Sequence, residues 1–138
     1  MIYLVLGSNL GDREWYLEQA KALLAEALKV DMLCSQVLET EAVGFEGPAF
    51  LNQAVCFESD IAPEALLDLC QAIEAQLGRP RHTAEYDAEG HRIFHDRTID
   101  IDILLYNDQE IHTDRLDIPH PQIEERPYVK ELLNDITI

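Results

Sequence analysis

The segment 97–105 reads Arg-Thr-Ile-Asp-Ile-Asp-Ile-Leu-Leu, and it constrains the fold of this chain more than any other segment. Its isoleucines recur at every second position, which predicts a β-strand that turns them toward a core. Asp100 and Asp102 then share the opposite face, about 6–7 Å apart along the strand. Two neighbouring carboxylates resist joint burial unless a cation lies between them, and hard oxygen ligands favour Mg²⁺. An isolated Asp-x-Asp pair is more commonly a solvated strand face, so a metal site needs support from the rest of the chain.

Length and composition predict one domain that spans residues 1–138. With 138 residues, of which 47% are hydrophobic and 27% charged, the chain is long enough for a single core. No apolar run approaches the roughly 20 residues of a membrane span, and the N-terminal segment lacks the charged start of a signal peptide. We therefore expect a cytoplasmic protein with no membrane partner. Cys34, Cys56 and Cys70 lie in apolar segments and are predicted to be small buried side chains rather than disulfides or zinc ligands.

The charge of the chain is strongly negative but unevenly distributed. A net charge of −17 argues against a nucleic-acid partner, because phosphate backbones need a basic surface. Six of the ten Lys and Arg residues, and all five His, nevertheless fall between Arg79 and Arg126. A local basic patch can still bind a small anion, because screening limits the relevant range to about 8–10 Å.

The order of the predicted elements indicates the fold class. One helix begins near Asp12, a good N-cap, and another begins at Pro63 and ends near Gly78. With four strands this gives the order β-α-β-β-α-β, which predicts a ferredoxin-like α+β sandwich: an antiparallel sheet with helices on one face, followed by a short C-terminal helical segment. The strands are predicted at 2–6, 31–40, 50–59 and 97–105, and the helices at 12–29, 63–78 and 122–134.

Two further patterns have both a structural and a functional interpretation. The motif Gly7-Ser8-Asn9 could bind an anion through exposed amides, or it could be a turn that needs glycine. Gln71 and Glu74 are predicted to share a face of the second helix near its arginine-bearing end. There they could form a solvated surface or lie beside guanidinium groups that clamp phosphate.

Five motifs follow one another along the chain: Gly7-Ser8-Asn9-Leu10, Phe50-Leu51-Asn52, Gln71-x-Ile73-Glu74-x-x-x-Gly78-Arg79, Arg97-Thr98-Ile99-Asp100-Ile101-Asp102-Ile103-Leu104 and Ile118-Pro119-His120. In this order they resemble the 6-hydroxymethyl-7,8-dihydropterin pyrophosphokinases of folate synthesis, over nearly the whole chain. The resemblance implies the ferredoxin-like fold and a monomer. It also implies the reaction, in which the β,γ-pyrophosphoryl unit of ATP moves to the hydroxymethyl oxygen of the pterin and AMP is released.

The resemblance implies roles on the ATP side of the site. Asp100 and Asp102 would bind two Mg²⁺ ions that bridge the triphosphate and orient the pterin hydroxyl, and Asp102 is the candidate if a protein base exists. Arg81 and Arg97 would stabilise charge on the transferring group, with Arg79 as a helper. The residues implied to contact ATP are Gln71, Glu74, Arg81, His82, Arg97, Ile103, Arg115, His120 and Arg126.

On the pterin side, the resemblance implies a ring held between two aromatic side chains, Phe50 and Tyr128. Asn52 would hydrogen-bond the edge of the ring. Without the motif order, both aromatic residues would be interpreted as ordinary packing residues. The rest of the pterin set would be Thr40, Val43, Gly44 and Phe94, with backbone groups of Thr40 and Val43 taking part in recognition.

The chain departs from the family pattern before the two acids. Phe94-His95-Asp96-Arg97 stands where the family commonly has Trp-Gly-Pro-Arg, and His82 stands where Lys is frequent. The loop between Arg81 and Arg97 is also several residues longer than usual. Phe94 can still cover the ring, whereas the added acidic residues would repel phosphate unless they point outward, so we expect an effect on ATP affinity and loop closure rather than on the chemistry.

Two other functions remain as alternatives. A nucleotidyltransferase also combines a Gly-Ser turn with paired acids, although about ninety residues separate the two elements here. A non-catalytic ferredoxin-like module that binds a small ligand or regulates a partner is the third hypothesis. It would leave the clustering of Arg and His around two acids unexplained.

Overall fold

The computed structural model describes residues 1–41, 48–78 and 98–136. The fold of these residues is built on an antiparallel β-sheet. The strand order in the main sheet is β2-β4-β1-β5, with β3 also pairing with β4, and every pairing is antiparallel. This confirms the ferredoxin-like α+β prediction. The elements are β1 Ile2–Ser8, α1 Arg13–Leu28, β2 Leu33–Cys34, β3 Leu38–Thr40, β4 Phe50–Phe57, α2 Pro63–Gln76, β5 Asp100–Tyr106, β6 Ile111–His112, β7 Asp117–Ile118, α3 Gln122–Glu125 and α4 Pro127–Ile136.

The first core lies between one face of the sheet and the helices α1 and α2. Asp12 caps α1 as predicted, because its Oδ1 accepts a hydrogen bond from the backbone N–H of Trp15 at 3.1 Å. The isoleucines of β5 turn into this core, also as predicted. The side chains packed there include Ile2, Leu4, Leu6, Leu17, Leu24, Leu66, Ile73, Ile99, Ile101 and Ile103, all of them buried.

The second face of the sheet is covered by α4, whereas the sequence predicted helices on one face. This face also carries apolar side chains, among them Val5, Ala54 and Leu104, so leaving it in water would be costly. The buried residues of α4 recur at helical spacing and form the matching stripe: Val129, Leu132, Leu133 and Ile136. The predicted helix 122–134 is divided at Arg126, which is extended before Pro127. Within the described residues, no helix is long and apolar enough to cross a membrane.

The predicted strand 31–40 is divided into β2 and β3 by a bulge. Cys34 pairs with Val55 and Leu38 pairs with Asn52, so the outer strand has one residue more than β4 over this stretch. The Ser35 hydroxyl accepts a hydrogen bond from the N–H of Ala54 at 2.9 Å and thereby stabilises the irregularity. The extra residue reverses the alternation, so that residues 38 and 40 face the side covered by α4.

The three cysteines differ in exposure. Cys56 and Cys70 are buried, as predicted, and burial raises the pKa of both thiols. Cys34 is exposed, contrary to the prediction, because β2 is a two-residue edge strand that no other strand covers among the described residues.

Candidate active site

Residues from three distant motifs meet in rows across the α4-covered face of the sheet. Gly7 of β1 pairs with Asn52 of β4 on one side and with Asp100 of β5 on the other. In the next row, Val5 lies between Ala54 and Asp102. Paired residues on adjacent strands project to the same face, so Asn52 and both acids share one surface.

Gly7 lies inside β1, so the turn that was predicted to begin at this residue does not begin there. Gly7 matters to the site because it has no side chain. A β-carbon at Gly7 would lie 3.4 Å from Oδ1 of Asn52 and 3.5 Å from Cδ1 of Phe50. Gly7 therefore adds no side chain to the sheet surface between Asn52 and Asp100, a stretch of two strand spacings or roughly 10 Å that we call the groove.

Asn52 is held rigidly at the edge of this groove. It is 5% exposed, and its Nδ2 donates to Oγ1 of Thr40 at 2.8 Å and to the carbonyl of Leu38 at 3.2 Å. Both donors of the amide are thus used within the protein, and the oxygen faces the groove as an acceptor for a ligand N–H. The bulge after β2 is what brings Thr40 to this face.

The two predicted stacking residues lie on the same side of the sheet. Phe50 begins β4 and is half-buried, and Tyr128 in the first turn of α4 packs against the second core. The hydroxyl of Tyr128 accepts a hydrogen bond from Arg126 at 3.2 Å. Their stacking role stays a prediction. Val43, Gly44 and Phe94 of the predicted pterin set lie outside the described residues.

Asp100 and Asp102 are half-buried, so neither carboxylate is fully exposed on this strand face. Oδ2 of Asp102 accepts a hydrogen bond from Nε2 of Gln122 at 3.1 Å. In the described ranges, no group of three His, Cys, Asp or Glu side chains comes together to form a metal cage. Two carboxylates on one face still suit Mg²⁺, which commonly takes one or two carboxylates and completes its shell with substrate phosphates and water.

Glu74 is buried, so of the two interpretations of this α2 face the solvated surface is wrong at this residue. It is 7% exposed, and its Oε2 accepts a hydrogen bond from the backbone N–H of Ile101 at 2.8 Å. The carboxylate thereby attaches α2 to the outer edge of β5, between the two acidic residues. Gln71, one turn earlier, is exposed.

A cleft of about 200 Å³ lies beside the outer edge of β5. Three of the predicted ATP-binding residues, Ile103, Arg115 and His120, line it together with Asp102. The wall opposite β5 is the hairpin of β6 and β7, whose strands have two residues each. The other lining residues are Leu67, Ile101, Thr113, Asp114, Leu116 and Asp117.

Arg115 is engaged by α2 at the mouth of this cleft. Its guanidinium donates to Oε2 of Glu64 at 2.8 Å and to Oδ1 of Asp68 at 2.6 Å, and Oε1 of Gln71 lies 3.5 Å away. The hydrogen bond to Asp68 raises the pKa of Arg115, with the charges of both carboxylates adding to the effect. A cation expected to contact the nucleotide is therefore paired with protein carboxylates in this conformation.

His120 presents a neutral imidazole to the cleft. Its Nδ1 accepts a hydrogen bond from the backbone N–H of Gln122 at 3.1 Å, so the ring proton lies on Nε2. Burial lowers the pKa of His120, and the positive charge of Arg126 adds to this, outweighing the nearby carboxylates. The ring can therefore donate a hydrogen bond to a phosphate or ribose oxygen near neutral pH.

Arg126 lies between the acidic pair and the aromatic side of the site. Its half-buried guanidinium donates to Tyr128, and its Nη1 lies 3.5 Å from Oε1 of Gln122. Burial lowers the pKa of Arg126, but the hydrogen bond to Tyr128 and the negative charges of Asp102 and Asp100 outweigh it, so the pKa is raised overall. The group is a permanent cation next to the two acids.

The remaining predicted residues of the ATP side, Arg79, Arg81, His82 and Arg97, lie outside the described residues. The sequence patterns missed other parts of the site. Gln122 follows the Ile118-Pro119-His120 motif by two positions, which was the only available signal. Leu67 and the β6–β7 hairpin gave none, because two-residue strands are too short to show a periodicity.

Comparison with known proteins identifies the family. Residues 3–138 match the family model described as 7,8-dihydro-6-hydroxymethylpterin-pyrophosphokinase. The chain belongs to this family. The family and the enzyme class predicted from the motifs, an ATP-dependent diphosphotransferase, are thereby confirmed.

Curated relatives named 2-amino-4-hydroxy-6-hydroxymethyldihydropteridine pyrophosphokinase resemble this pyrophosphokinase over most of its length. The one from Bacillus subtilis is 43% identical over 97% of this chain and 76% of its own length. The one from Porphyromonas gingivalis is 39% identical over 99% of this chain and 90% of its own. A third, from Aquifex aeolicus, is 38% identical over 92% and 74%.

Proposed function

We propose that this chain transfers the β,γ-pyrophosphoryl unit of ATP to the hydroxymethyl oxygen of 6-hydroxymethyl-7,8-dihydropterin. A bond forms between that oxygen and the β-phosphorus, the bond from the β-phosphorus to the oxygen that bridges it to the α-phosphorus breaks, and AMP leaves. The hydroxyl proton is released. The family assignment supports the reaction, and the products would be AMP and the pterin diphosphate used in folate synthesis.

The observation that carries the proposal is the row formed by Asn52, Gly7 and Asp100. It joins a fixed acceptor, an open groove and a carboxylate on one sheet face. A flat heterocycle between Phe50 and Tyr128 would donate an N–H to Oδ1 of Asn52 and extend its hydroxymethyl arm over Gly7 toward the acids. Fixed geometry of this kind accelerates group transfer by holding the reacting atoms in register.

The ATP would lie along the outer edge of β5, with its phosphates toward Asp102. His120 would donate from Nε2 to the nucleotide, and Arg126 would offset the negative charge that the acids and phosphates bring together. Gln71, Glu74, Ile103 and Arg115 complete the proposed nucleotide set on the described side. Arg79, Arg81, His82 and Arg97 are proposed to act from the segment that precedes the acids.

We also propose that Asp100 and Asp102 hold two Mg²⁺ ions. Their hard oxygen donors and half-buried position on one face support this assignment. When bound, the metal would supply charge neutralisation and acidify the pterin hydroxyl, and Asp102 is the candidate to take its proton.

Incubation with ATP, Mg²⁺ and the hydroxymethyl dihydropterin, followed by identification of the nucleotide product, tests the proposal. AMP formation that depends on the pterin is expected. Release of pyrophosphate would indicate the nucleotidyltransferase alternative, and no ATP turnover would indicate the non-catalytic module.

The acidic pair is tested with Asp100→Ala, for which we expect AMP formation to be abolished with little change in thermal stability. The matched control is Asp108→Ala, the same change in the exposed turn at the far end of β5, which should retain full activity. Normal AMP release by Asp100→Ala would refute the metal assignment.

A further inference from the structure

Gln122 is a buried polar side chain for which no motif predicts a role. It is 4% exposed, its Nε2 donates to Oδ2 of Asp102 at 3.1 Å, and its Oε1 lies 3.5 Å from Nη1 of Arg126. A carboxamide has a donor end and an acceptor end. Here the donor end faces a carboxylate, which accepts, and the acceptor end faces a guanidinium, which donates. The Gln122 side chain therefore links the Asp102 carboxylate to the Arg126 guanidinium, with one polar contact at each end.

The backbone of Gln122 is attached to the strand that carries Asp102. The N–H of His120 donates to the carbonyl of Leu104 in β5 at 3.0 Å, and the N–H of Gln122 donates to Nδ1 of His120 at 3.1 Å. Two consecutive hydrogen bonds thus hold the first turn of α3 against β5. The position of the amide relative to Asp102 is consequently fixed from the backbone as well as from the side chain.

We propose that Gln122 is a positioning residue, whose amide sets the orientation of the Asp102 carboxylate toward the bound metal and phosphate. The terminal torsion of an aspartate is broad, so each hydrogen bond to the Asp102 carboxylate narrows the range of angles over which it presents its oxygens. Hydrogen bonds to ligating carboxylates narrow that range, and losing one costs about 10–100-fold in metal affinity or activity. The inference rests on the proposed function, in which Asp102 is a metal ligand.

The alternative is that Gln122 only fills space. Gln122→Met separates the two roles, because methionine has a similar volume and neither donates to a carboxylate nor costs the burial of an amide. A packing role predicts a variant equivalent to the wild type. A positioning role predicts a folded variant that binds metal about 10–100-fold more weakly.

Electron paramagnetic resonance measures the binding of Mn²⁺ to each protein. The samples contain an ATP analogue in which a methylene replaces the oxygen between the α- and β-phosphorus. This analogue cannot release AMP, so binding is read without turnover. Steady-state kinetics with ATP should show the loss in kcat, with the KM for the pterin near the wild-type value.

Two further variants complete the test. Gln109→Met makes the same chemical change in the exposed turn after β5 and should bind Mn²⁺ like the wild type. Gln122→Asn keeps an amide that is one methylene too short to reach Asp102, so it should lose affinity as well. Wild-type Mn²⁺ affinity in either folded Gln122 variant, or a loss no larger than that of Gln109→Met, would overturn the inference. A wild-type protein that binds Mn²⁺ but forms no AMP would instead refute the reaction.

Discussion

The replacement of Gly7 by alanine tests the groove on which the proposed reaction depends. The new methyl group would stand 3.4 Å from Oδ1 of Asn52 and 3.5 Å from Cδ1 of Phe50, which are ordinary van der Waals distances. The backbone of Gly7 is that of a paired strand residue, so alanine fits it without strain. Glycine in a strand interior is about 0.5–1 kcal/mol less favourable than alanine, so Gly7→Ala should be slightly more stable than the wild type.

The same methyl group should weaken the binding of the pterin. It would occupy the floor of the groove over which, in the proposed binding mode, the hydroxymethyl arm passes from the Asn52 side to Asp100. Adding a methyl group to a well-fitted site costs typically about 1–3 kcal/mol, which corresponds to roughly 5-fold to 150-fold in the dissociation constant. We therefore expect opposite effects of one substitution on stability and on substrate binding.

The assay combines thermal unfolding without ligands with steady-state AMP formation at varied pterin and varied ATP. The KM for the pterin should rise within the range given above, whereas the KM for ATP should change little, because the cleft proposed for the nucleotide lies at the outer edge of β5. An unchanged pterin KM in a fully folded Gly7→Ala protein would show that the substrate does not cross this row. A drop in stability would show that the space beside Asn52 is smaller than the distances indicate.

Two further predictions concern the cleft proposed for the nucleotide. Glu64→Gln and Asp68→Asn together neutralise both α2 partners of Arg115 and should release its guanidinium. The Kd for ATP, measured by titration calorimetry, should then be lower than that of the wild type, and the difference should be smaller at high salt. An ATP affinity equal to that of the wild type would mean that the ion pairs do not compete with the nucleotide. The pKa of His120 is lowered in the folded state, so the unfolded chain binds the proton first, and the neutral ring contributes its full stability only above about pH 6.5. This contribution is lost as the pH falls below that value through the lower pKa of the folded state. His120→Asn keeps an acceptor for the N–H of Gln122 but has no titrating ring. The free energy of unfolding, measured with urea, should therefore fall less on acidification in this variant than in the wild type. If the free energy of unfolding depends on pH equally in both proteins, the lowered pKa of His120 is contradicted.

The sequence predicted the local elements well because their patterns are local. The isoleucine alternation before Leu104 and the cap at Asp12 depend on residues within one strand or one helical turn. The bulge after β2 depends instead on distant partners: the Ser35 hydroxyl bonds to β4, and the N–H of Gln36 donates to Oδ2 of Asp135 in α4 at 2.6 Å. No period in the sequence encodes such contacts, so the predicted strand 31–40 ran straight through them.

The features of the candidate site also divide into those that local sequence patterns predict and those that depend on distant contacts. Residue types that metal and phosphate chemistry require, such as Asp100 and Asp102, could be recognised from their spacing and from the family motifs. The burial of Glu74 and the contact of Gln122 with Asp102 could not be predicted, because both depend on packing against β5. A polar residue on a short or amphipathic helix looks solvated until the neighbouring strand is in place.

The hydrophobic core also explains why the site tolerates no other strand register. Leu6, Leu51 and Ile101 are buried on the α1 and α2 face, and they alternate along their strands with Gly7, Asn52 and Asp100. A slip of one residue would turn every side chain of the displaced strand to the opposite face, moving leucine or isoleucine into the groove and the polar group into the core. Burial of each large aliphatic side chain is worth about 1.5–3 kcal/mol, so several such residues on each strand make a slip prohibitively unfavourable. The apolar face of the sheet therefore positions the acidic and amide groups on the other face, and the strand alternation serves the fold and the site together.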